Sequence, residues 1–263
     1  MGGTKTGRGS AKYDPKLGIF VKTPDVAIIE VLAETSIGFV VLDQEHAPLD
    51  RRSLDLLLFA ARALDLPAFV RVPDCSRASA QAALDGGAAG ILFPHISDAQ
   101  TAAAAASVCR YGSGRGYSGA VRCMRRQPDI LSATATADAA VMVVAQVEDP
   151  AGVEAAADIA ACSGIDALFI GRADLAACLG AANSDAPEVW AAAKRIADSA
   201  AMHGKALWAF ATNWADADRL SKLGAKTLIF GSDQSRLKQS VSELAAAAAQ
   251  RTRSGESDPD NRS

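Results

Sequence analysis

The sequence predicts a closed (β/α)8 barrel, the TIM-barrel architecture. Three observations carry that prediction. Eight short apolar runs alternate with helix-like stretches along the whole chain. The runs are continuously apolar, as parallel strands covered on both faces are, rather than alternating apolar with polar. The length of 263 residues suits a single barrel of about 250 residues. The competing architecture is an open doubly wound sheet. It usually carries G-x-G-x-x-G after its first strand, where this chain has Lys22-Thr23-Pro24.

The first strand is Gly18 to Lys22, and Thr23-Pro24-Asp25 opens a helix from Val26 to Thr35, with proline at the start where its missing N–H costs nothing. The second strand, Phe39 to Asp43, precedes a helix from Asp50 to Leu64. The third is Ala68 to Val72, ended by Pro73. A helix from Ser76 to Asp85 stops at Gly86-Gly87, a glycine C-cap. The fourth strand, Gly90 to Phe93, stops at Pro94, and a helix follows from Asp98 to Arg110. The stretch Tyr111 to Gly119 is irregular, and a helix runs from Pro128 to Ala139. The fifth strand is Val141 to Glu148, followed by a helix from Pro150 to Cys162. The sixth is Ala167 to Ile170, with a tight loop Gly171 to Leu175, and Pro187 opens a helix to His203. The seventh strand, Ala206 to Phe210, leads to a helix from Trp214 to Leu223. The eighth, Thr227 to Phe230, leads to an alanine-rich helix from Ser235 to Gln250. The expected domain is residues 15–250, between disordered tails at 1–14 and 251–263.

Composition excludes several classes. The 27 basic and 30 acidic residues leave a net charge of −3 and no basic stripe, so nucleic acid is not an expected partner. No apolar run reaches the roughly 18 residues of a membrane span, and no secretory signal is read at the N-terminus. Five cysteines, an odd number without C-x-x-C spacing, argue against a disulfide framework and for a reducing, cytoplasmic setting.

Barrel sites form at the C-terminal ends of the strands. The polar residues at those ends are therefore expected to converge. They are Asp43, Glu45 and His46 after the second strand, Arg71 in the third, and His95 after the fourth. Gln146 and Glu148 end the fifth, Asp174 follows the sixth, and Ser232 and Asp233 follow the eighth. Arg71 lies in an apolar strand, where an unpaired charge is costly. It suits a two-pronged grip on a substrate carboxylate or, alternatively, a structural pair with Asp43 or Glu45. Glu148 and Asp174, from adjacent strand ends, favour a hard divalent ion such as Mg2+ or Mn2+, with Co2+ a third choice. The alternative for Asp174 is the N-cap of a short helix from Leu175 to Leu179. Asp43 and His46 make an orienter and base, or else a helix cap and a solvated loop residue. Lys22 is placed to form a Schiff base or simply to be solvated.

These residues also carry a resemblance. Leu42-Asp43-Gln44-Glu45-His46-Ala47-Pro48 resembles the DxEHxP segment of the HpcH/HpaI aldolases, metal-dependent class II enzymes acting on pyruvate-type donors. Phe69 to Pro73 looks like their arginine strand, and Leu84 to Ala88 like their LDxGA turn. Gln146-Val147-Glu148 and Phe169 to Leu175 look like their metal segments. Gly224-Ala225 through Asp233 looks like their last strand. The resemblance runs in order from Gly18 to Leu244.

The resemblance implies that Glu148 and Asp174 hold the metal, Arg71 contacts the pyruvyl oxygens, and His46 with Asp43 is the acid/base dyad. Gln146 would line the pocket. The backbone of Gly171, Arg172, Ala173 and Asp174 would face the substrate carboxylate. Asp85 would reach a neighbouring subunit's site in a homo-oligomer, commonly a hexamer, whose last helix packs on a partner barrel. The implied reaction makes or breaks a C–C bond through a metal-stabilised enolate of pyruvate or a related 2-oxo acid, with an aldehyde or other carbonyl acceptor. Alternatives on the same scaffold are a citrate-synthase-like or decarboxylating enzyme acting on oxaloacetate, and a catalytically silent binding homologue. Three departures stand out. Arg172 replaces the family's usual proline and is expected to add a cation at the mouth. Tyr111 to Gly116 replaces a proline-rich approach, and His95 has no assigned role.

Overall fold

The computed structural model describes residues 16–124 and 129–255. Eight strands close into one parallel barrel in sequence order, with the last pairing back onto the first. They are β1 (Lys16–Val21), β2 (Phe39–Asp43), β3 (Ala68–Arg71), β4 (Gly90–Phe93), β5 (Met142–Val147), β6 (Ala167–Ile170), β7 (Ala206–Ala211) and β8 (Thr227–Ser232). Among the described residues the helices are α1 (Val26–Ala33), α2 (Arg51–Ala63), α3 (Arg77–Gly86), α4 (Ala99–Val108), α5 (Ile130–Ala140), α6 (Pro150–Glu154), α7 (Ala156–Ala161), α8 (Arg172–Leu179), α9 (Pro187–Met202), α10 (Trp214–Lys222) and α11 (Asp233–Gly255). Asp25, Asp50, Ser76, Asp98, Asp129, Asp149 and Asn213 each accept a first-turn backbone N–H. A short polar residue at the strand-to-helix junction thus sets where most helices begin.

The element order matches the expectation, with three differences. The helix expected over Pro150 to Cys162 is broken at Ala155, whose φ −87 and ψ 4 leave the helical region and divide α6 from α7. The segment expected as a loop from Gly171 becomes helical at Arg172. The last helix runs further at both ends, from Asp233 to Gly255. The expected tail at 1–14, Pro128, and residues 256–263 of the expected C-terminal tail lie outside the described residues.

Two apolar layers hold the barrel. One lies between sheet and helices, where Leu57, Leu58, Ala83 and Ile196 meet outward strand residues such as Val40, Leu42 and Val70. The other fills the barrel interior, with Phe20, Val41, Phe69, Leu92, Val144, Phe169 and Trp208 among its members. Phe39, Phe69 and Trp208 pack edge-on or tilted, with ring centroids 4.9–5.5 Å apart. Glycine makes room for these rings. A Cβ on Gly18 would overlap the Phe39 ring, and one on Gly90 would sit 2.8 Å from the Phe69 ring.

Strand side chains alternate with period two, so the inward residue two places on from this floor lies at the mouth. Val41 is followed by Asp43, Phe69 by Arg71, Val144 by Gln146 and then Glu148, and Phe20 by Lys22. The apolar floor and the charged mouth are successive layers of one pattern.

Candidate active site at the C-terminal mouth of the barrel

Asp43 and Arg71 are register partners on β2 and β3. Arg71 donates from Nε to Asp43 Oδ1 at 2.9 Å and from Nη2 to Oδ2 at 2.7 Å. The Asp43 carboxylate is fully buried. It also accepts the backbone N–H groups of Glu45 and His46 at 3.2 and 3.1 Å, and the Lys22 ammonium lies 3.3 Å away. Burial pushes this carboxyl up. The hydrogen bonds and charge of Arg71, the His46 N–H and the Lys22 charge overcome that and hold it below the ordinary value. Arg71 Nη1 lies 3.2 Å from Glu45 Oε2, and its guanidinium stacks on the Phe20 ring at 4.5 Å. The sequence offered a structural pair with Asp43 or Glu45, and Arg71 meets both. With one bond to Asp43 and one contact to Glu45, each terminal nitrogen still keeps a free N–H for a substrate oxygen.

Lys22 itself is held by its backbone. Asp233, at the start of α11, accepts the N–H groups of Lys22 and Thr23, both at 3.0 Å. The last helix thereby fixes the loop after the first strand.

Glu148 follows β5 and is 2% exposed. Its Oε2 accepts a hydrogen bond from Gln146 Nε2. Its Oε1 accepts the His95 backbone N–H at 2.8 Å and lies 3.0 Å from His95 Nδ1. The other imidazole nitrogen of His95 is 3.2 Å from Glu45 Oε1. Burial raises the Glu148 carboxyl to about 7, against the Gln146 and His95 hydrogen bonds and the His95 charge, and the nearby Asp174 charge raises it further.

The expected residues have mixed placements. Asp43, Arg71, Gln146 and Glu148 gather at the mouth as expected. His46 is there too, but its link to Asp43 is through the backbone N–H. Its imidazole, 53% exposed, lies 3.6 Å from Glu45 Oε2. Asp174 lies half-buried in the first turn of α8, near enough to Glu148 to act on its charge state. It is neither a loop residue nor an N-cap, because Gly171 takes the cap position. Ala173 is exposed in the same turn.

One expectation needs correction. Arg172 offers no cation at the mouth. It is 5% exposed and donates from Nη2 to Asp216 Oδ1 at 2.7 Å and to Phe210 O at 3.3 Å, while its guanidinium lies 4.5 Å from the Trp190 ring centre. A buried guanidinium needs a counter-charge, and Asp216 at the start of α10 supplies it. Asp85, expected at a neighbouring subunit's site, lies apart from this chain's own cluster, on α3, with Gln81 Nε2 at 3.3 Å and Arg115 Nη2 at 3.5 Å.

Glu45 and His95 were visible as strand-end residues without a role, and they are the ones the fold adds. Together with Glu148 they offer three ligand atoms, all within 4.8 Å of one another. These residues fit a divalent cation. A buried carboxylate lacks a full counter-charge, Gln146 Oε1 is buried with no hydrogen-bond partner, and the donors are carboxylate oxygen and imidazole nitrogen.

The chain and its fold are similar to known proteins. A sequence profile of the HpcH/HpaI aldolase/citrate lyase family matches residues 16–239. A hydroxypyruvate/pyruvate aldolase of Paraburkholderia phytofirmans (strain DSM 17436 / LMG 22146 / PsJN) is 34% identical, over 84% of this chain and 88% of that one. A 4-hydroxy-2-oxovalerate aldolase of Rhodococcus jostii (strain RHA1) is 36% identical, over 89% and 92%. The crystal structure of a family member from Burkholderia cenocepacia J2315 superposes with a TM-score of 0.84 at 32% identity, over 90% of this chain and 95% of that one. By its profile, its relatives and its barrel, this chain belongs to the HpcH/HpaI aldolase/citrate lyase family.

Proposed function

We propose that this protein is a divalent-metal-dependent (class II) aldolase, a carbon–carbon lyase that cleaves or forms the bond between the carbon α to the keto group of pyruvate or a related 2-oxo acid and the acceptor's carbonyl carbon. One observation carries the reading. Arg71, paired to Asp43 yet with N–H groups to spare, faces the same mouth as a buried carboxylate, Glu148, that lacks a full counter-charge. The names of the relatives, aldolases of pyruvate, hydroxypyruvate and 4-hydroxy-2-oxovalerate, support a 2-oxo acid donor.

Glu148 and Asp174 are the proposed metal ligands, for Mg2+, Mn2+ or Co2+. A cation bound there supplies positive charge against the oxygen that becomes negative as a proton leaves the neighbouring carbon. Arg71 orients the 2-oxo acid through its spare N–H groups, stiffened by Asp43 on one side and the Phe20 ring on the other. Gln146 lines the pocket beside Glu148. The Gly171 N–H is bonded to Val147 O, and the first backbone N–H groups of α8, from Arg172 to Asp174, suit the substrate carboxylate. His46, exposed and beside Glu45, takes or gives the proton, its loop held by the Asp43 carboxylate.

Asp85 is assigned to a neighbouring subunit's site in a homo-oligomer, a hexamer by resemblance. Supporting this, α11 presents Leu237, Val241 and Leu244 to solvent along one face, 67%, 55% and 71% exposed. The described cysteines are all unpaired, which supports a reducing, cytoplasmic setting. No helix among the described residues is long and apolar enough to cross a membrane.

The test is retro-aldol release of pyruvate from 4-hydroxy-2-oxo acids. Chelation should abolish it and Mg2+, Mn2+ or Co2+ should restore it, with no borohydride-trapped adduct at Lys22. Activity that survives complete metal stripping and dies on borohydride treatment would replace this reading with Schiff-base chemistry at Lys22.

A further inference from the structure

We propose that His95 is an imidazole ligand of the divalent cation and makes the site prefer a first-row transition ion over Mg2+. The inference rests on the metal reading above and extends it to a residue that reading leaves unused. Pro94 ends β4, and the next two residues are tied to β5. The His95 N–H donates to Glu148 Oε1 at 2.8 Å and the Ile96 N–H to Gln146 O at 3.1 Å. This holds His95 at φ +55, the left-handed region, which histidine tolerates better than most side chains but still populates rarely. Packing does not account for the conformation, because the side chain is 65% exposed. What the conformation achieves is aim. It directs Nδ1 at Glu148, 3.0 Å away, and Nε2 at Glu45, 3.2 Å away.

A neutral imidazole has one N–H and one lone pair. With a carboxylate oxygen facing each nitrogen, at least one of the two contacts needs a proton or a metal ion between its partners. A cation among Glu45, His95 and Glu148, whose three ligand atoms lie within 4.8 Å of one another, fills that place and makes the imidazole nitrogen a ligand. The choice of cation follows. Mg2+ favours oxygen donors and retained water. An imidazole nitrogen favours ions such as Co2+ and raises their affinity more than that of Mg2+.

The experiment titrates metal-stripped full-length protein with Co2+ and, separately, with Mg2+, by calorimetry and by the visible absorption of bound Co2+. His95→Gln should weaken Co2+ binding by about tenfold or more, move the Co2+ bands, and weaken Mg2+ binding much less. Mn2+-loaded wild-type protein should show a directly bound imidazole nitrogen in electron spin echo modulation, and His95→Gln should lose it. A His95→Gln protein with wild-type Co2+ affinity and spectrum overturns the role of His95 and leaves the metal site standing. If the variant fails to fold, wild-type protein without the nitrogen signal overturns the same role. Wild-type protein that binds neither ion overturns the metal reading itself.

Discussion

Arg71 and Asp43 form a two-bond ion pair across adjacent strands at a depth where neither is more than 7% exposed. The pair closes the apolar floor of the barrel and begins its polar mouth. It has a structural part and a substrate-facing part, and these separate experimentally.

Arg71→Met leaves the Asp43 carboxylate buried with only two backbone donors and Lys22. Breaking a buried pair from one side costs about 3–5 kcal/mol. The pH dependence gives a second reading. Asp43 is held below its ordinary 3.8 in the fold, so its contribution is complete above that value and fades as pH falls through the folded one. Without Arg71 the cause that remains largest is burial, which raises the carboxyl. The variant should then lose stability as pH rises from acid toward neutral, the reverse slope. Urea denaturation of both proteins between pH 3 and 7 checks this. Parallel curves would show that Arg71 does not control Asp43.

Glu148 is expected to set the metal dependence of stability. Its folded carboxyl is raised from 4.5 to about 7. Between those values the folded state holds a proton that the unfolded state has released, so metal-free protein should weaken as pH rises through this window and level off above it. A divalent ion should therefore raise the melting temperature more at pH 8 than at pH 5. Glu148→Gln should remove both the slope and the metal response. Melting curves in chelator and in Mn2+ at the two pH values decide it, and a metal response that survives in Glu148→Gln would place the ion elsewhere.

Most of the barrel was legible because its signals are local. Val40 to Asp43, Phe69 to Arg71 and Val144 to Glu148 announce buried strands with polar ends, and Asp or Ser before each helix marks where it starts. The strand ends named the mouth residues in advance, Asp43, Arg71, Gln146 and Glu148 among them. What stayed hidden was pairing. No local pattern reveals that Arg172 turns to Asp216, 44 positions away, or that His95 reaches across to Glu45 and Glu148. A cation beside an expected ligand reads as a site cation until its counter-charge is seen. The break at Ala155 was equally hidden, since alanine gives no turn signal.

Arg172 provides a control for that distinction. Arg172→Met should strand Asp216, whose carboxylate keeps only the Thr212 backbone and hydroxyl donors at 2.9 and 3.1 Å. The expected cost is again about 3–5 kcal/mol. KM for the 2-oxo acid, measured well below the melting temperature, should stay unchanged. A raised KM with unchanged stability would return Arg172 to the substrate.

Gly171 tests how closely the site tolerates displacement. A Cβ on Gly171 would stand 2.5 Å from Glu148 Cβ and 3.0 Å from its Oε2. The first is backbone-anchored, so Gly171→Ala must move either Glu148 or the start of α8, which carries Asp174. Overpacking of this kind costs about 1–3 kcal/mol. The effect on turnover should be larger, because a shift near 1 Å at a reacting site can lower rate about 10²-fold. Both proposed metal carboxylates flank this glycine, so metal affinity and kcat/KM should fall together while the folded barrel persists by circular dichroism. Wild-type kcat/KM in a folded Gly171→Ala protein would mean that the close approach of α8 to β5 is not needed for the chemistry, and that Asp174 does not work beside Glu148.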